Sequence, residues 1–360
     1  MERMHHINRC SALIHGQPRD WAVLGLSLGL LVLAGCTSMK QSSTERFEYT
    51  QPHMGLPFRI VLYASDRSAA DAAAAAAFDR IQELNDILSD YDMDSELSKL
   101  SHSSGQGKEV ELGRDLWAVL EQAQRLAQRS AGAFDITVGP CVNLWRKARR
   151  EKRLPQPAQL ADAREAVGHE KLRLDPRHHT AQLTAPGMRL DLGGIAKGYA
   201  VDEALKILRA RGVSQALVAG GGDMAVSGPP PGQKGWRIEI APLDVTNAPP
   251  ARFAILAHGG LATSGDVFQH LEIDGKRYSH IVDPHTCVGL TDHSLVTIIA
   301  RDCTTADGLA TAVSVLGPER GLDLVERTSG AAAHIVRKPG EQIERLESKR
   351  FKRFYESVLP

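Results

Sequence analysis

Helical and extended patterns follow one another along this chain without a regular strand–helix–strand beat, and that irregular order points to an α+β fold of mixed sheets with flanking helices. The stretch from Phe47 to Ala64 contains an extended start. A long helix is expected from Ser68 through the alanine run Ala72 to Ala77 and on to Leu88, with Ser68 as N-cap, Asp71 in the first turn and Phe78, Ile81, Leu84 and Leu88 along one stripe. A second runs from about Arg114 to Arg129, lays Leu116, Leu120, Ala123 and Leu126 on one side, and stops at Gly132. A third covers Val201 to Arg211 and leads into a strand over Gln215 to Ala219. Extended runs follow at 236 to 240, 253 to 256, 280 to 282 and 295 to 300, with a helix near Thr305 to Leu316 and a final strand pair. Neither an internal repeat nor a clean domain boundary is visible.

The charges exclude one class of function. With 43 Lys and Arg against 43 Asp and Glu, there is no cationic excess to neutralise phosphates, which argues against a nucleic-acid binder. A length of 360 residues with 42% hydrophobic content suffices for an enzyme-sized core and excludes disorder.

The start of the chain stands apart. Residues 21 to 34 form an apolar run after Arg3, Arg9 and Arg19, and 14 residues are too few to span a bilayer, which takes roughly 20. A basic start, a short apolar run and a small-residue end describe a secretory signal. Its end, Leu33-Ala34-Gly35-Cys36, resembles the lipobox of bacterial lipoproteins, in which the cysteine is lipidated after cleavage; the alternative is a small-residue cleavage site that happens to contain a cysteine. The expected organisation is therefore a signal peptide over 1–35, a lipidated Cys36 with a polar tether over 36–46, and one folded domain over 47–360, working outside the cytoplasm. Setting aside Cys10 and Cys36 leaves Cys141, Cys287 and Cys303. Three cysteines without a CxxC pair make neither a disulfide framework nor a zinc site, although a bridge between Cys287 and Cys303 is open in an oxidising compartment.

Chemistry-bearing residues gather in four loops of small and polar residues. The run from Asp191 through Gly193, Gly194 and Lys197 to Asp202 reads as a strand end, a double glycine and a helix start, suited to phosphate, though equally to a tight turn. Asp307 and Thr311 stand at i and i+4, so a carboxylate and a hydroxyl share one helix face and can meet one hard cation; a capping Asp and a buried Thr are the plainer reading. Thr263-Ser-Gly-Asp266 and the segment from His280 to Thr286 place hydroxyls, carboxylates and a histidine near turns. Gly132-Ala-Phe-Asp-Ile-Thr-Val-Gly-Pro140, with Asn143-Leu-Trp145 behind it, mixes apolar and polar groups in a way suited to an aromatic ring system, or to core and turn.

Taken together, these segments, with Met54-Gly55, the run from Ser89 to Leu97 and Gly220-Gly-Gly-Asp223, resemble the ApbE family of FAD:protein FMN transferases, in the same order and from about Met54 to the C-terminus. The resemblance implies an ApbE-like fold with an FAD site in a cleft between two lobes. It also implies a Mg²⁺-dependent transfer of FMN from FAD to a threonine hydroxyl of an acceptor protein, forming a phosphoester and releasing AMP. By family position, Met54, Tyr91, Ala133, Phe134, Asp135, Asp191 and Lys197 would bind FAD. The side chains of Asp307 and Thr311 and the main-chain carbonyl of Gly194 would hold the metal. His280 would assist proton transfer from the threonine, with Asp283 as a supporting carboxylate. The acceptor would be a membrane redox subunit carrying covalent FMN, such as a component of an NADH:quinone or electron-transport complex. A lipoprotein facing the periplasm fits family practice, which favours the inner membrane, and Thr37 leaves the choice of membrane open.

Two positions depart from the family pattern: Leu56 stands where Met-Gly-Thr has its threonine, and Cys287 where Asp-Pro-x-Thr-Gly has its glycine. The second change suggests that the turn after His280 differs or is tied to Cys303. Two other activities use the same residues: a flavin pyrophosphatase with water as acceptor, and a non-catalytic flavin-binding lipoprotein.

Overall fold

Eight antiparallel strands organise the chain into one sheet, in the spatial order Glu45–His53, Leu56–Ala64, Ala216–Gly220, Asp223–Ser227, Gly259–Gly265, Ser294–Ala300, Ala332–Arg337 and Glu344–Glu347. The computed structural model describes residues 44–243, 252–267 and 269–355. The signal and lipidation expectations, Cys36 included, lie outside the described residues. Among those residues no helix is long and apolar enough to cross a membrane.

Strand alternation explains how one sheet covers two cores. Along Ser294–Ala300, which is buried throughout, Val296, Ile298 and Ala300 join the helix-side core, while Ile299 joins the opposite one. The helix side is covered by Arg67–Leu88, Ala196–Ala210 and Cys303–Leu316. The other side is covered by the hairpin of Trp236–Ile240 and Arg252–Leu256 with Phe351. A smaller cluster around Cys141, Trp145, Tyr278, Val282 and Cys287 lies apart from both.

Local chemistry shifts several expected boundaries. The first long helix is Arg67–Leu88, and its cap is Asp66, whose Oδ1 accepts the Ala69 N–H at 2.9 Å; Ser68 lies inside the helix. Ala70, Ala73, Ala74 and Ala77 are its buried small residues and allow close approach to Ala196–Ala210. The expected second helix is found at Arg114–Arg129. The strand expected over 280 to 282 is split into Lys276–Ser279 and Val282–Asp283, leaving His280 between them. Ser279 Oγ accepts the Ile281 N–H at 3.1 Å, a side-chain turn that takes the backbone out of the ladder there.

The cysteine expectation needs correction. Cys141 and Cys287 form the disulfide, with Cα atoms 4.8 Å apart, and Cys303 is the buried free thiol. Cys287 nevertheless keeps the positive φ of a glycine-type turn, +59°. Cys303 instead packs into the helix-side core and directs its Sγ to the Leu261 carbonyl.

Candidate active site

The Leu192–Lys197 turn is built on Asp191. Its backbone N–H reaches the Ile136 carbonyl at 2.8 Å, which fastens it to the 132–140 segment. Its Oδ1 accepts the Gly193 N–H at 2.8 Å, and its Oδ2 pairs with Arg146 Nη2 at 3.0 Å. Burial and the neighbouring Asp90 charge push the Asp191 pKa up, against the pull of Arg146. Arg146 also bonds Asp90 and sits over the Tyr91 ring, 4.3 Å from its centroid. Tyr91 is 76% exposed, so this guanidinium braces an aromatic face that is open to solvent. The sequence reading missed Arg146; a cation just behind Trp145 was the only available signal.

Further along, Lys197 Nζ joins the Gly193 carbonyl at 3.1 Å, Asp223 Oδ2 at 2.9 Å and Asp307 Oδ2 at 3.3 Å. Burial works against its ammonium, but the two carboxylates outweigh burial and raise its pKa. Burial, reinforced by the charge on Asp307, pushes Asp223 up to about 7 despite Lys197. In the sequence, Asp223 stands out only as the end of a glycine-rich motif. It is in fact the second carboxylate of this centre.

Asp307 is buried, and its Oδ2 also accepts the Gly198 N–H at 3.0 Å. Gly198 is required at this helix crossing, because a Cβ there would lie 2.5 Å from the Cys303 carbonyl oxygen and 2.8 Å from Asp307 Cβ. The start of the Cys303–Leu316 helix is held from outside by Asp202, which accepts the N–H groups of Cys303 at 2.9 Å and Thr304 at 2.8 Å. Burial raises Asp202 to about 6, against those bonds. One turn beyond Asp307, Thr311 meets the double glycine: a Cβ on Gly194 would stand 2.9 Å from Thr311 Oγ1 and 3.3 Å from Phe134 Cε2. Thr311, Gly194 and Phe134 are thus neighbours, although 117 residues separate Gly194 from Thr311 in sequence.

The other expected flavin residues fall around this centre in different ways. Met54 forms the turn between the first two strands with a φ of +49° and rests on the helix-side core. Its neighbour Leu56 reaches Gly221, so that turn adjoins the loop leading to Asp223. Ala133 and Asp135 are buried. Asp135 Oδ1 is taken up by the N–H of Thr137 at 2.8 Å and its hydroxyl at 2.7 Å, and burial raises its pKa.

His280 belongs to the smaller cluster's side, flanked by Tyr278 and Val282. Its Nδ1 lies 3.2 Å from the Gln269 carbonyl oxygen. A carbonyl only accepts, so Nδ1 carries the proton, and in the neutral ring Nε2 keeps a free lone pair. His280 is exposed as a residue, yet the protein packed around it lowers its pKa, and the charges of Lys197 and Arg149 add to that effect. Asp283 does not orient this ring. Its Oδ1 accepts the His285 N–H at 2.9 Å and its Oδ2 the Thr286 hydroxyl at 3.2 Å, so it braces its own turn. Asp266 plays the wider bracing role, joining Arg277, His293 and the Ser294 N–H. Lys197 and Asp307 are carried by helices of the large core, and His280 by a loop of the small one.

Comparison with known proteins identifies the family. The ApbE family pattern matches residues 54–335. A FAD:protein FMN transferase of Vibrio cholerae is 33% identical over 341 residues, covering 93% of this chain and 99% of that protein. One from Escherichia coli K12 is 32% identical over 275 residues, covering 74% and 77%. Among solved structures, the flavin transferase ApbE from Vibrio cholerae superimposes with a TM-score of 0.78 at 30% identity, over 86% of this chain and 99% of that one. The Pseudomonas stutzeri flavinyl transferase ApbE in its apo form gives 0.76 at 29%, over 88% and 99%. With the family pattern matched over residues 54–335 and the relatives aligned over most of their length, this chain belongs to the ApbE family.

Proposed function

We infer that this chain is a FAD:protein FMN transferase, which moves FMN from FAD onto a threonine hydroxyl of an acceptor protein and releases AMP. The observation that carries this reading is a buried, charge-rich centre of Lys197, Asp223 and Asp307 together with a histidine whose Nδ1 faces a carbonyl and whose Nε2 has no partner among the described residues. Family membership gives the reaction its direction.

In this reading the threonine Oγ forms a bond to the FMN phosphorus, and the bond from that phosphorus to the bridging pyrophosphate oxygen breaks. AMP leaves with the bridging oxygen, and the threonine proton passes to His280 Nε2. Lys197 meets the negative phosphate oxygens, Arg146 and Tyr91 hold the aromatic face, and the remaining proposed flavin contacts are Met54, Ala133, Phe134, Asp135 and Asp191. Asp283 serves through its turn and not through the histidine ring.

Among the described residues no cluster of three or more His, Cys, Asp or Glu is arranged for a metal. A cation would instead be held by the side chains of Asp307 and Thr311 and the Gly194 main-chain carbonyl, an all-oxygen set of the kind that suits Mg²⁺. When bound, Mg²⁺ offsets charge on the pyrophosphate. The close approach at Gly194 supports this placement, because a side chain there would fill the space beside Thr311 Oγ1. Gly194→Ala is accordingly expected to stay folded, since the nearest atoms its methyl meets are side-chain atoms of Thr311 and Phe134, yet to transfer FMN at least tenfold more slowly. Thermal unfolding and a Mg²⁺ titration of the rate check both halves of that statement.

The pH dependence follows from His280. It acts as a base only when neutral, so activity falls as pH drops through its pKa, and surrounding protein lowers that pKa from 6.5. The acid limb of kcat/KM for the acceptor is expected below pH 6.5. An acid limb at or above that value, measured at saturating FAD and Mg²⁺, would count against His280 as the base.

The working place in this reading is the periplasmic face of the inner membrane, with the chain anchored through a lipid on Cys36 and the acceptor a membrane redox subunit that carries covalent FMN. The lipobox-like Leu33 to Cys36 supports the anchor. The Cys141–Cys287 disulfide supports an oxidising compartment.

A further inference from the structure

The Gly139–Glu151 helix is fastened to the His280 loop at two points that the reaction above does not use. Cys141 and Trp145 stand four residues apart and so share one helix face. Cys141 is bonded to Cys287, at one end of the loop. Trp145 Nε1 donates to the Ser279 carbonyl at 3.1 Å, one residue before His280, and its ring meets Tyr278 edge-on at 5.5 Å. Trp145 also closes on Gly289, where a Cβ would lie 2.6 Å from its Cζ2. Both ends of the segment from Ser279 to Gly289 are therefore held by one helix. Next to Trp145, the same helix carries Arg146, which grips Asp191, Asp90 and Tyr91. One rigid element thus links the proposed flavin side to the base.

Position 287 gives a second, independent sign. Its φ of +59° lies in the left-handed region, which favours glycine, yet the chain places a cysteine there and bonds it. Between the pinned ends, the loop is held by the two-residue pairing of Val282–Asp283 with Val288–Gly289 and by the turn on Asp283. The His280 ring has the Gln269 carbonyl as its side-chain partner. Its place relative to the flavin phosphate therefore depends on how firmly the loop is anchored.

We propose that the Cys141–Cys287 bond is a positioning element for the transfer step, which sets His280 against FAD held through the Arg146 end of the same helix. The proposal rests on the transferase reading and deepens it. Opening the bond leaves FAD binding intact and slows acceptor-dependent transfer, because displacements of about 1 Å cost up to ~10²-fold in rate.

The test compares the parent with the double variant Cys141→Ala/Cys287→Gly, in which the glycine keeps the positive-φ turn while the bond is lost. Three quantities are read in each: FAD affinity by fluorescence, kcat and KM for an acceptor threonine peptide, and amide hydrogen exchange over residues 279–290. The expected result is unchanged FAD affinity, kcat/KM for the acceptor lower by about tenfold or more with most of the loss in kcat, and faster exchange in the loop. Cys287→Gly with Cys141 intact should behave like the double variant. Equal transfer rates with and without the bond overturn the proposal. If the double variant fails to fold, the oxidised parent is compared with parent reduced by a phosphine, the bond state being read from the mass shift on alkylation, and an unchanged acceptor kcat/KM again overturns it. If the parent itself transfers no FMN, it is the transferase reading that fails, and equal exchange over 279–290 in the two forms then refutes the anchoring as well.

Discussion

Asp307→Ala should reduce FMN transfer by ~10³-fold or more, and this is the largest single effect the site implies. Two losses combine. The carboxylate that would help to hold Mg²⁺ disappears, and metal stabilisation of developing phosphate charge contributes several kcal/mol, at ~1.4 kcal/mol per tenfold in rate. Lys197 then keeps Asp223 as its carboxylate partner, beside the Gly193 carbonyl, and its ammonium is held less firmly in place. The fold should survive with a modest cost, because the Gly198 N–H loses its acceptor in a buried place, worth ~1–3 kcal/mol. Asp307→Asn separates the contributions: the amide oxygen still accepts from Gly198, so stability returns while the charge does not. The decisive readout is the Mg²⁺ concentration for half-maximal rate, which should rise steeply in both variants. Comparable Mg²⁺ dependence in parent and Asp307→Ala would remove Asp307 from the metal site.

His280→Ala should cost ~10²–10⁴-fold in transfer, the usual range for a lost general base. The loss should be no greater than that of Asp307→Ala, since the charged phosphate pocket remains. His280 is exposed and its side chain is held by one carbonyl, so the variant should unfold at nearly the parent temperature and bind FAD as tightly. The informative signature is the pH profile: the acid limb assigned to this ring should vanish, leaving a slow and flatter rate. A variant that retained both the rate and the acid limb would place the base elsewhere.

Much of the scaffold was legible because it rests on local rules. Leu116, Leu120, Ala123 and Leu126 repeat at helical spacing, and the helix they describe is present with its expected ends. Asp307 and Thr311 were legible as a pair because i and i+4 fix a shared face whatever the fold. What escaped was set by long-range packing. Asp66 and Ser68 are both capping types two residues apart, and only the formed hydrogen bond to Ala69 separates them. Three cysteines permit three pairings, and the one realised joins residues 146 apart in sequence. Arg146 and Asp223 are ordinary charged residues in sequence; their roles arise when Asp90, Asp191, Lys197 and Asp307 are folded around them. Asp283 stood near His280 in sequence, but its hydrogen bonds close its own turn.

The most direct measurement uses the soluble form beginning after Cys36, mixed with FAD, Mg²⁺ and a peptide or domain bearing an acceptor threonine, then resolved by denaturing-gel fluorescence and intact mass. The account predicts a fluorescent acceptor heavier by one FMN, with AMP released in equal amount and both abolished by a chelator. FAD split to free FMN and AMP with the acceptor unlabelled would contradict it in favour of a pyrophosphatase, and tight FAD binding without any turnover would contradict it in favour of a flavin-binding protein.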